Sequence, residues 1–323
     1  FSLTDGFVHN SENTINTDFV VIDEASMLDL HLFYALARAI APDTHLLLVG
    51  DVDQLPSVGA GDVLRDLIRS HVCDVTRLRT IFRQEKGSLI IENAHRVNQG
   101  EMPDLNNEGQ DFFFFGKEDP VEAAELLADI VQNRIPQKFG FHPVKDVQVL
   151  APMYRTPIGV TALNEALQAK LNPPGRHAEQ LIGGQILRVG DKVMQTRNNY
   201  DKSVFNGDTG IVRSIDFEKR ELELVIDAEY HRYSWIDAAD QITLAYACSV
   251  HRSQGSEYPV IVIPVLTQHY MMLQRNLLYT AITRARQLVV LVGTRKAIGI
   301  AVRNNKVSRR WSALDWRLQS SIF

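Results

Sequence analysis

The sequence has few of the features that would place it among disulfide-rich, zinc-binding or membrane proteins. Only two cysteines, Cys73 and Cys248, occur in 323 residues, and neither lies in a Cys-x-x-Cys pair or a Cys/His cluster. This argues against a disulfide framework and a zinc site, and predicts two buried free thiols in a reducing cytoplasm. No apolar run approaches the roughly 18 residues that a membrane-spanning helix needs, so the sequence predicts no membrane contact.

The chain also has little excess charge. It carries 34 Lys and Arg against 39 Asp and Glu, for a formal net charge of −5. This argues against the broad basic surface of an architectural nucleic-acid-binding protein, but leaves enough cations for a local groove that binds a single strand. The length and the hydrophobic content of 45% are sufficient for two domains with separate cores.

What the sequence does contain is an apolar strand that ends in two adjacent acids. Val20-Val21-Ile22 is followed directly by Asp23 and Glu24. In nucleoside-triphosphate motors the first acid at such a strand end binds Mg²⁺ through oxygen, and the second polarises the attacking water. The alternative is that both acids only cap a helix predicted from about Asp29 to Ala41, since acids are favoured at helix starts.

A second apolar strand favours the motor interpretation. The segment 45–49 is followed by Gly50-Asp51-Val52-Asp53-Gln54, which supplies an acid, Asp51, and an amide, Gln54, that can sense a γ-phosphate. Open parallel sheets bind their ligands at the carboxyl ends of the strands. Two such strands therefore predict one shared site.

The phosphate-binding loop that should accompany this site is missing. No segment has the form GxxxxGK[ST], whose backbone N–H groups cradle phosphates. The sequence also starts at Phe1 and not at Met, with Asp23 close behind. We therefore expect the chain to be the carboxyl-terminal portion of a longer protein, and to be inactive alone.

Strand and helix patterns alternate along most of the chain, which predicts an α/β fold with parallel sheets and flanking helices. The predicted strands are 20–22, 45–49, 74–78, 112–115, 147–150, 242–245, 260–263 and 288–292, and the predicted helices are 30–40, 63–70, 88–98, 121–131 and 271–284. Four consecutive phenylalanines, Phe112–Phe115, lack polar alternation and predict a strand buried on both faces more than a base-stacking platform.

The pattern changes between Gln185 and about Asp240. Short predicted strands at 191–195, 210–216, 222–226 and 230–235 are separated by turn clusters, without a helix-length segment. Such a pattern is typical of a small antiparallel barrel, which is here inserted into the α/β host.

Two arginines are candidates for neutralising charge on a transferred phosphoryl group. Arg83 lies in Thr80-Ile81-Phe82-Arg83-Gln84, just after a predicted strand, and Arg284 closes a predicted helix before the last strand. The planar guanidinium group suits this task. The alternative that each is an ordinary surface or ion-pair arginine stays open.

Together these motifs resemble those of the RecD/TraA-type superfamily 1B DNA helicases, and most nearly the stand-alone RecD-like helicases. The segments that carry the resemblance are VVIDEASM, LLLVGDVDQLPSVGAGDVL, LRTIFRQ, VLAPMYRTPIGVTALNEALQ, GDKVMQTRNNYD, VFNGDTGIV, AYACSVHRSQGSE and NLLYTAITRAR. They appear in the order and with the spacing of the family, from about Phe7 to Val292.

The resemblance implies two RecA-like motor domains, the first truncated, with an SH3-like antiparallel β-barrel inserted in the second. In this assignment residues 1–18 are the remnant of a duplex-splitting hairpin, 19–78 are part of the first motor domain, 79–184 and 241–323 are the second, and 185–240 are the insertion.

The resemblance also implies a helicase that hydrolyses ATP with Mg²⁺ and moves 5′→3′ on single-stranded DNA. The residues expected at the nucleotide are Asp23 for Mg²⁺, Glu24 for the attacking water, Gln54 for the γ-phosphate, Arg83 and Arg284 as arginine fingers, and Asp51, Gly255 and Glu257 as further contacts. The residues expected on DNA are Pro152, Met153, Tyr154, Arg155, Asn198, Asn199, His251 and Ser253.

The partners implied are single-stranded DNA and single-strand/duplex junctions at the bacterial nucleoid, together with subunits of a recombination or nuclease complex. Two alternatives stay open. One is a conjugative TraA-type relaxase-helicase, which an upstream nickase domain would identify. The other is a non-catalytic fragment that binds single strands or a partner; its decayed site should have lost the acids and arginines that this sequence retains.

Overall fold

The computed structural model describes residues 6–78, 87–305, 310 and 312–320. The chain divides into two compact units, of which residues 1–82 with 306–323 form the first and residues 83–305 form the second. Each unit has its own hydrophobic core.

The first unit is built on two parallel strands. Strand β1 (Phe19–Ile22) pairs with β2 (His45–Leu48), and helix α1 (Leu30–Ala39) lies between them in the chain. The Asp29 side chain caps α1 by accepting the N–H of Leu32 at 2.7 Å. Asp23 and Glu24 are therefore not the cap of this helix, and the capping alternative is wrong.

Two further helices complete the first unit. Helix α2 (Val63–Ser70) buries Val63 and Leu64 in a small core. The helix Leu314–Ser320 packs against α2, and Leu314 contacts the same core. The carboxyl-terminal segment thus belongs to the unit that carries the predicted metal-binding strand.

Two sequence-based predictions for this unit are wrong. Residues 74–78 form no strand, because no described strand lies alongside to supply a hydrogen-bond ladder, and Val75 and Leu78 remain 43% and 91% exposed. Cys73, predicted to be buried, is exposed, whereas Cys248 of the second unit is buried as predicted.

The second unit combines a parallel sheet with antiparallel strands. Its strands are β3 (Phe112–Gly116), β4 (Val147–Ala151), β5 (Glu179–Ile182), β6 (Gln185–Arg188), β7 (Lys192–Gln195), β8 (Thr209–Asp216), β9 (Glu221–Ile226), β10 (Glu229–Ser234), β11 (Ile242–Leu244), β12 (Ala247–Ser249), β13 (Tyr258–Val265) and β14 (Ala285–Gly293). Its α-helices are α3 (Leu89–Gln99), α4 (Pro120–Asp129), α5 (Ile135–Phe139), α6 (Val160–Leu171), α7 (Trp235–Gln241), α8 (Arg275–Thr283) and α9 (Arg295–Arg303).

The parallel sheet has the spatial order β12-β4-β13-β14-β3. Helices α4 and α6 contact each other and the sheet, and α3, α8 and α9 form a second contacting group against it. Because helices of both groups pack on the sheet, β4 is buried at every position and β13 at all but one. At the edge, Phe112–Phe114 of β3 are buried and Phe115 is half-buried, so the prediction of a strand buried on both faces is confirmed for the first three of the four phenylalanines.

The antiparallel strands form the predicted insertion. Strands β7 to β10 follow one another as neighbours, and β11 pairs with β7 on the other side. Residues 242–245 were predicted to rejoin the parallel host sheet, but Ile242 lies opposite Gln195 in the antiparallel sheet. The short helix α7 lies in a region that was predicted to lack helices, and it connects β10 to β11.

These sheets confirm the predicted fold class, which is α/β with a parallel RecA-like sheet and a small antiparallel insertion. Within the described ranges, no helix is long and apolar enough to cross a membrane.

Candidate functional site

In the first unit, the ends of β1 and β2 are tied together by backbone hydrogen bonds. The N–H of Val49 donates to the carbonyl of Ile22, and the N–H of Ala25 donates to the carbonyl of Val49, each at 2.8 Å. This ladder runs past both strand ends. It places the Asp23–Glu24 pair next to the Gly50–Asp51 pair, as the two strand patterns predicted.

Gly50 is required by this close approach. A Cβ atom at residue 50 would lie 2.9 Å from the backbone nitrogen of Ser26 and 2.9 Å from Cδ2 of Leu64. Such distances are shorter than side chains tolerate, so only glycine lets the two strand ends meet at this point.

Glu24 occupies a strained backbone conformation at the end of β1. Its φ of 51° and ψ of 38° are left-handed, a region that non-glycine residues rarely adopt. The Asp23 carboxylate accepts the N–H of Glu24 at 2.8 Å, which helps to hold this turn. Strain of this kind clusters at functional sites, where it fixes the direction of a side chain.

Asp51 organises the second strand end. Its carboxylate accepts the N–H of Asp53 at 2.9 Å and the side-chain amide of Gln54 at 3.3 Å. This aspartate turn orients Gln54 from within its own loop. Asp51 thus positions the residue that was predicted to sense the γ-phosphate.

The next loop, residues 57–61, is held by a residue that sequence reasoning missed. The guanidinium of Arg310 donates to the hydroxyl of Ser57 at 3.2 Å and to the carbonyl of Gly61 at 2.9 Å. No pattern in the sequence links residue 310 to a loop about 250 positions earlier, because the connection exists only after folding.

The strand ends fit a magnesium site of the kind that nucleotides complete. Mg²⁺ in such sites takes one or two carboxylates and fills its remaining positions with water and phosphate oxygens. Asp23 offers an exposed carboxylate. Among the described residues, we find no group of three or more Asp, Glu, His or Cys side chains that could hold a metal ion. The buried Ser26 hydroxyl nearby has no hydrogen-bond partner in this part of the structure, which fits a polar group bound beside it.

In the second unit, the residues predicted to contact nucleotide converge around the start of β13. Arg284 is 2% exposed, and its guanidinium donates to the carbonyl of Ser256 at 3.4 Å. Glu257 forms an ion pair with Arg286 at 2.9 Å. Gly255 has a φ of 76°, which suits glycine in this turn. The other predicted finger, Arg83, lies outside the described residues.

The predicted DNA-binding turns follow two adjacent strands, β4 and β12, in which Ala151 lies opposite Ser249. The Tyr154 hydroxyl lies 3.5 Å from the Ser249 hydroxyl, and the Arg252 guanidinium lies 5.8 Å from the centre of the Tyr154 ring. The structure therefore brings the segment 152–155 and the segment 250–253 together. Arg252, which the sequence analysis did not select, is the residue that joins them.

Within these turns the predicted residues differ in exposure. Pro152 is buried, Met153 is half-buried and Arg155 is exposed. His251 is at the surface, yet desolvation lowers the pKa of its imidazole below the ordinary value, so it is neutral at pH 7. The Ser253 side chain is buried, and its hydroxyl donates to the carbonyl of Val250 at 2.8 Å.

Asn198 and Asn199 both stabilise a loop of the antiparallel insertion. The side-chain oxygen Oδ1 of Asn198 accepts the backbone N–H of Asn206 at 2.9 Å. The side-chain amide of Asn199 donates to Oε1 of Gln241 at 3.1 Å. Two aromatic residues of the same loop, Tyr200 and Phe205, are about half exposed.

Another buried group near the sheet end is His269, in the turn after β13. It is 0% exposed, and neither ring nitrogen has a hydrogen-bond partner among the described residues. Burial lowers the pKa of this imidazole from 6.5 to about 4, so the folded protein keeps it neutral.

His269 makes the second unit sensitive to acid. Between about pH 6.5 and pH 4 the unfolded chain binds a proton that the folded chain refuses, so stability falls as the pH falls through this window. Between pH 7 and pH 4.5, we expect the free energy of unfolding to fall by about 2 kcal/mol more in the wild type than in a His269→Phe variant, which has no ring nitrogen to protonate. Urea unfolding at pH 7 and pH 4.5 measures the difference, and parallel losses in the two proteins would contradict the assignment.

Comparison with known proteins finds three protein-family models that each match part of the chain. Residues 3–112 match an AAA domain, residues 163–227 match the ATP-dependent RecD-like DNA helicase SH3 domain, and residues 244–292 match the UvrD-like helicase C-terminal domain. The second match covers most of the antiparallel insertion, and the third covers the segments that contain His251 and Arg284.

Curated relatives agree with these matches. The chain is 34% identical over 317 residues to the ATP-dependent RecD2 DNA helicase of Deinococcus radiodurans, covering 96% of this chain and 41% of that protein. It is 32% identical over 336 residues to the RecBCD enzyme subunit RecD of Mycobacterium tuberculosis, covering 98% of this chain and 56% of that protein. The chain thus spans about half the length of the curated relatives it matches.

Among solved structures, the fold is similar to a Pif1 helicase from Bacteroides in complex with ADP-AlF3 and single-stranded DNA. The TM-score is 0.55 at 17% identity, over 95% of this chain and 76% of that one. A likeness at this identity supports the fold alone. Together, the family matches and the relatives show that the chain is RecD-like: nearly its whole length is similar to RecD-like DNA helicases.

Proposed function

We propose that this chain is the motor portion of an ATP-dependent helicase that moves 5′→3′ on single-stranded DNA and separates duplexes. The observation that carries the proposal is the meeting of two parallel strand ends, held by the hydrogen bonds of Val49 and by the close approach at Gly50. Four polar side chains of the predicted types follow those two strands: Asp23, Glu24, Asp51 and Gln54.

Each of these side chains has a proposed task. Asp23 holds Mg²⁺, whose chemistry when bound with ATP is to neutralise charge on the phosphates. Glu24, fixed in direction by its left-handed backbone, accepts a proton from the attacking water. Gln54, oriented by Asp51, reads the γ-phosphate position.

The second unit supplies the proposed cations. Arg284 and Arg83 neutralise charge that develops during phosphoryl transfer. Gly255 and Glu257 contact the nucleotide, and the Glu257–Arg286 pair fixes the direction of that carboxylate. The neighbourhood of Arg284 and Glu257 around β13 supports this assignment.

We also propose that the activity requires a phosphate-binding loop from outside these 323 residues, since none of the form GxxxxGK[ST] occurs within them. The chain alone then neither hydrolyses ATP nor binds it tightly. The whole protein acts on single-strand/duplex junctions, either alone or with recombination or nuclease subunits.

Single-stranded DNA is proposed to bind along the turns after β4 and β12. Tyr154 supplies an aromatic surface, and Arg155 and Arg252 supply charge at neutral pH, whereas the neutral His251 supplies hydrogen bonds only. Contacts of this kind are made to phosphates and base faces, and they tolerate any sequence.

This surface predicts weak, salt-sensitive binding of single strands by the chain as it stands. Two cations that each neutralise one phosphate give a log–log slope of affinity against salt of about −1.4, at roughly −0.7 per phosphate. Fluorescence anisotropy with labelled oligothymidine, from low to physiological salt, measures the slope. An Arg155→Ala variant should lower its magnitude by about 0.7, since one phosphate contact is lost.

A Lys219→Ala variant serves as the matched control, because Lys219 is an exposed cation on the turn between β8 and β9. It should leave the slope unchanged. Absence of binding at low salt, or binding that is indifferent to salt, would remove the proposed DNA surface.

A further inference from the structure

A pocket lies on one face of the parallel sheet, between the edge strand β3 and the helical segment that ends in α5. The pocket has a volume of about 340 Å³. Its walls are largely aromatic and aliphatic, with three polar side chains among them. The lining residues are Phe113, Phe115, Ile130, Arg134, Ile135, Gln137, Lys138, Phe139 and Val290.

The helical wall of this pocket contains a widened turn. Residues Ile130–Arg134 form a π-helix, in which the N–H of Ile135 donates to the carbonyl of Ile130, five residues earlier. Pro136 follows directly and has no N–H to continue an α-helical ladder, which accounts for the break in pattern. Widened turns of this type are often found at functional sites.

One cation of the pocket lacks a compensating acid. Lys138 Nζ lies 4.4 Å from the centre of the Phe113 ring and 5.1 Å from that of Phe139, and no carboxylate pairs with it among the described residues. Arg134, by contrast, pairs with Asp129 at 2.7 Å. Hydrogen bonds from the Asn133 amide and from Arg134 hold the pKa of Asp129 below its usual range, so this acid is ionised and neutralises Arg134.

The pocket is separate from the proposed DNA surface. The DNA-binding turns follow β12 and β4, whereas the pocket lies at β3, three strand spacings or about 14 Å from β4. Its floor residue Phe113 is near the amino end of β3, opposite Val290, and not at the carboxyl ends where those turns begin.

We propose that this pocket binds a segment of a partner protein in which an aromatic side chain is flanked by an acidic residue. The volume is at the lower end of ligand pockets and suits one aromatic ring. The Lys138 ammonium moves off the Phe113 and Phe139 rings. The ligand ring then packs against Phe113, Phe115 and Phe139, and the neighbouring carboxylate meets the displaced ammonium. A nucleic acid strand is disfavoured as the ligand of this pocket, because it carries a phosphate at every nucleotide and the pocket offers only one uncompensated cation.

The probe is a fluorescein-labelled peptide, Gly-Gly-Asp-Phe-Asp-Gly-Gly with an amidated end, titrated with the whole chain and followed by anisotropy. We expect saturable binding that weakens at least tenfold when the aspartates become asparagine or the phenylalanine becomes alanine. Lys138→Ala should weaken binding at least tenfold, Lys138→Glu should abolish it, and Lys138→Arg should keep it within about threefold. Lys138 is exposed, so these variants fold as the wild type does.

Lys219→Ala again serves as the control and should bind the peptide normally. Equal affinity for the asparagine peptide, or wild-type affinity in Lys138→Ala, would overturn the proposal, as would no binding at millimolar concentration. Oligothymidine that displaces the peptide in a Lys138-dependent way would overturn it in favour of a nucleic-acid site.

Discussion

A Glu24→Gln exchange in the full-length helicase proposed above is expected to lower ATP hydrolysis by roughly 10²–10⁴-fold, the usual contribution of a general base. The amide has nearly the shape of the carboxylate but cannot accept the proton of the attacking water. Because Asp23 is untouched, nucleotide and Mg²⁺ binding should persist. DNA-stimulated phosphate release measures the rate, and titration of labelled ATP measures the binding.

Two controls make this result specific. Glu12, an exposed acid of the same unit, is the matched control, and Glu12→Gln should leave turnover unchanged. The 323-residue chain without a phosphate-binding loop should release no phosphate at all. Turnover at the wild-type rate in the Glu24→Gln protein would remove the proposed role of this residue, whatever the DNA titration shows.

The second large effect is expected at Asp191, a fully buried acid at the junction between the parallel sheet and the antiparallel insertion. Its carboxylate accepts four hydrogen bonds from neutral donors. These are the side chains of Gln168 at 2.6 Å, Asn172 at 2.7 Å and Tyr246 at 2.8 Å, and the backbone N–H of Arg188 at 2.7 Å. The acid thus links α6, the β6–β7 turn and the approach to β12.

An Asp191→Asn variant should be destabilised by roughly 2–5 kcal/mol, since its NH₂ group would face two donors and could accept a hydrogen bond from neither. The loss of stability should be large because the donors are buried. Each buried donor that is left without an acceptor costs the full free energy of its desolvation. Urea unfolding followed by circular dichroism measures the shift. Asp201→Asn, at an exposed acid of the insertion, is the control and should leave the midpoint in place.

Tyr246→Phe removes one of the four donors and leaves the carboxylate three. It should cost only about 1 kcal/mol, the net value of one hydrogen bond. An unfolding midpoint in Asp191→Asn equal to that of the wild type would show that the junction does not depend on the charge. Equal losses in the two variants would show that Tyr246, and not the whole network, carries the effect.

Local patterns were sufficient for most elements of this protein. Continuous apolar runs predicted β4, β13 and β14, because strands buried on both faces need no polar alternation. Apolar runs also predicted β1 and β2, although none of their residues is buried in the first unit. The prediction failed at residues 74–78, where the pattern is apolar enough but no neighbouring strand supplies the ladder. It also misplaced Ile242–Leu244, because sequence does not show which sheet a three-residue strand will join.

For the candidate site, the sequence by itself determined which side chains follow the strands. Asp23, Glu24, Asp51 and Gln54 are local to two strand ends, and the rule for parallel sheets was enough to expect them together. The tertiary structure alone decided the contacts between distant segments, such as Arg310 on Ser57 and Arg252 on Tyr154. These contacts depend on how the chain packs, and side chains far apart in sequence carry no local pattern that reports their distance after folding.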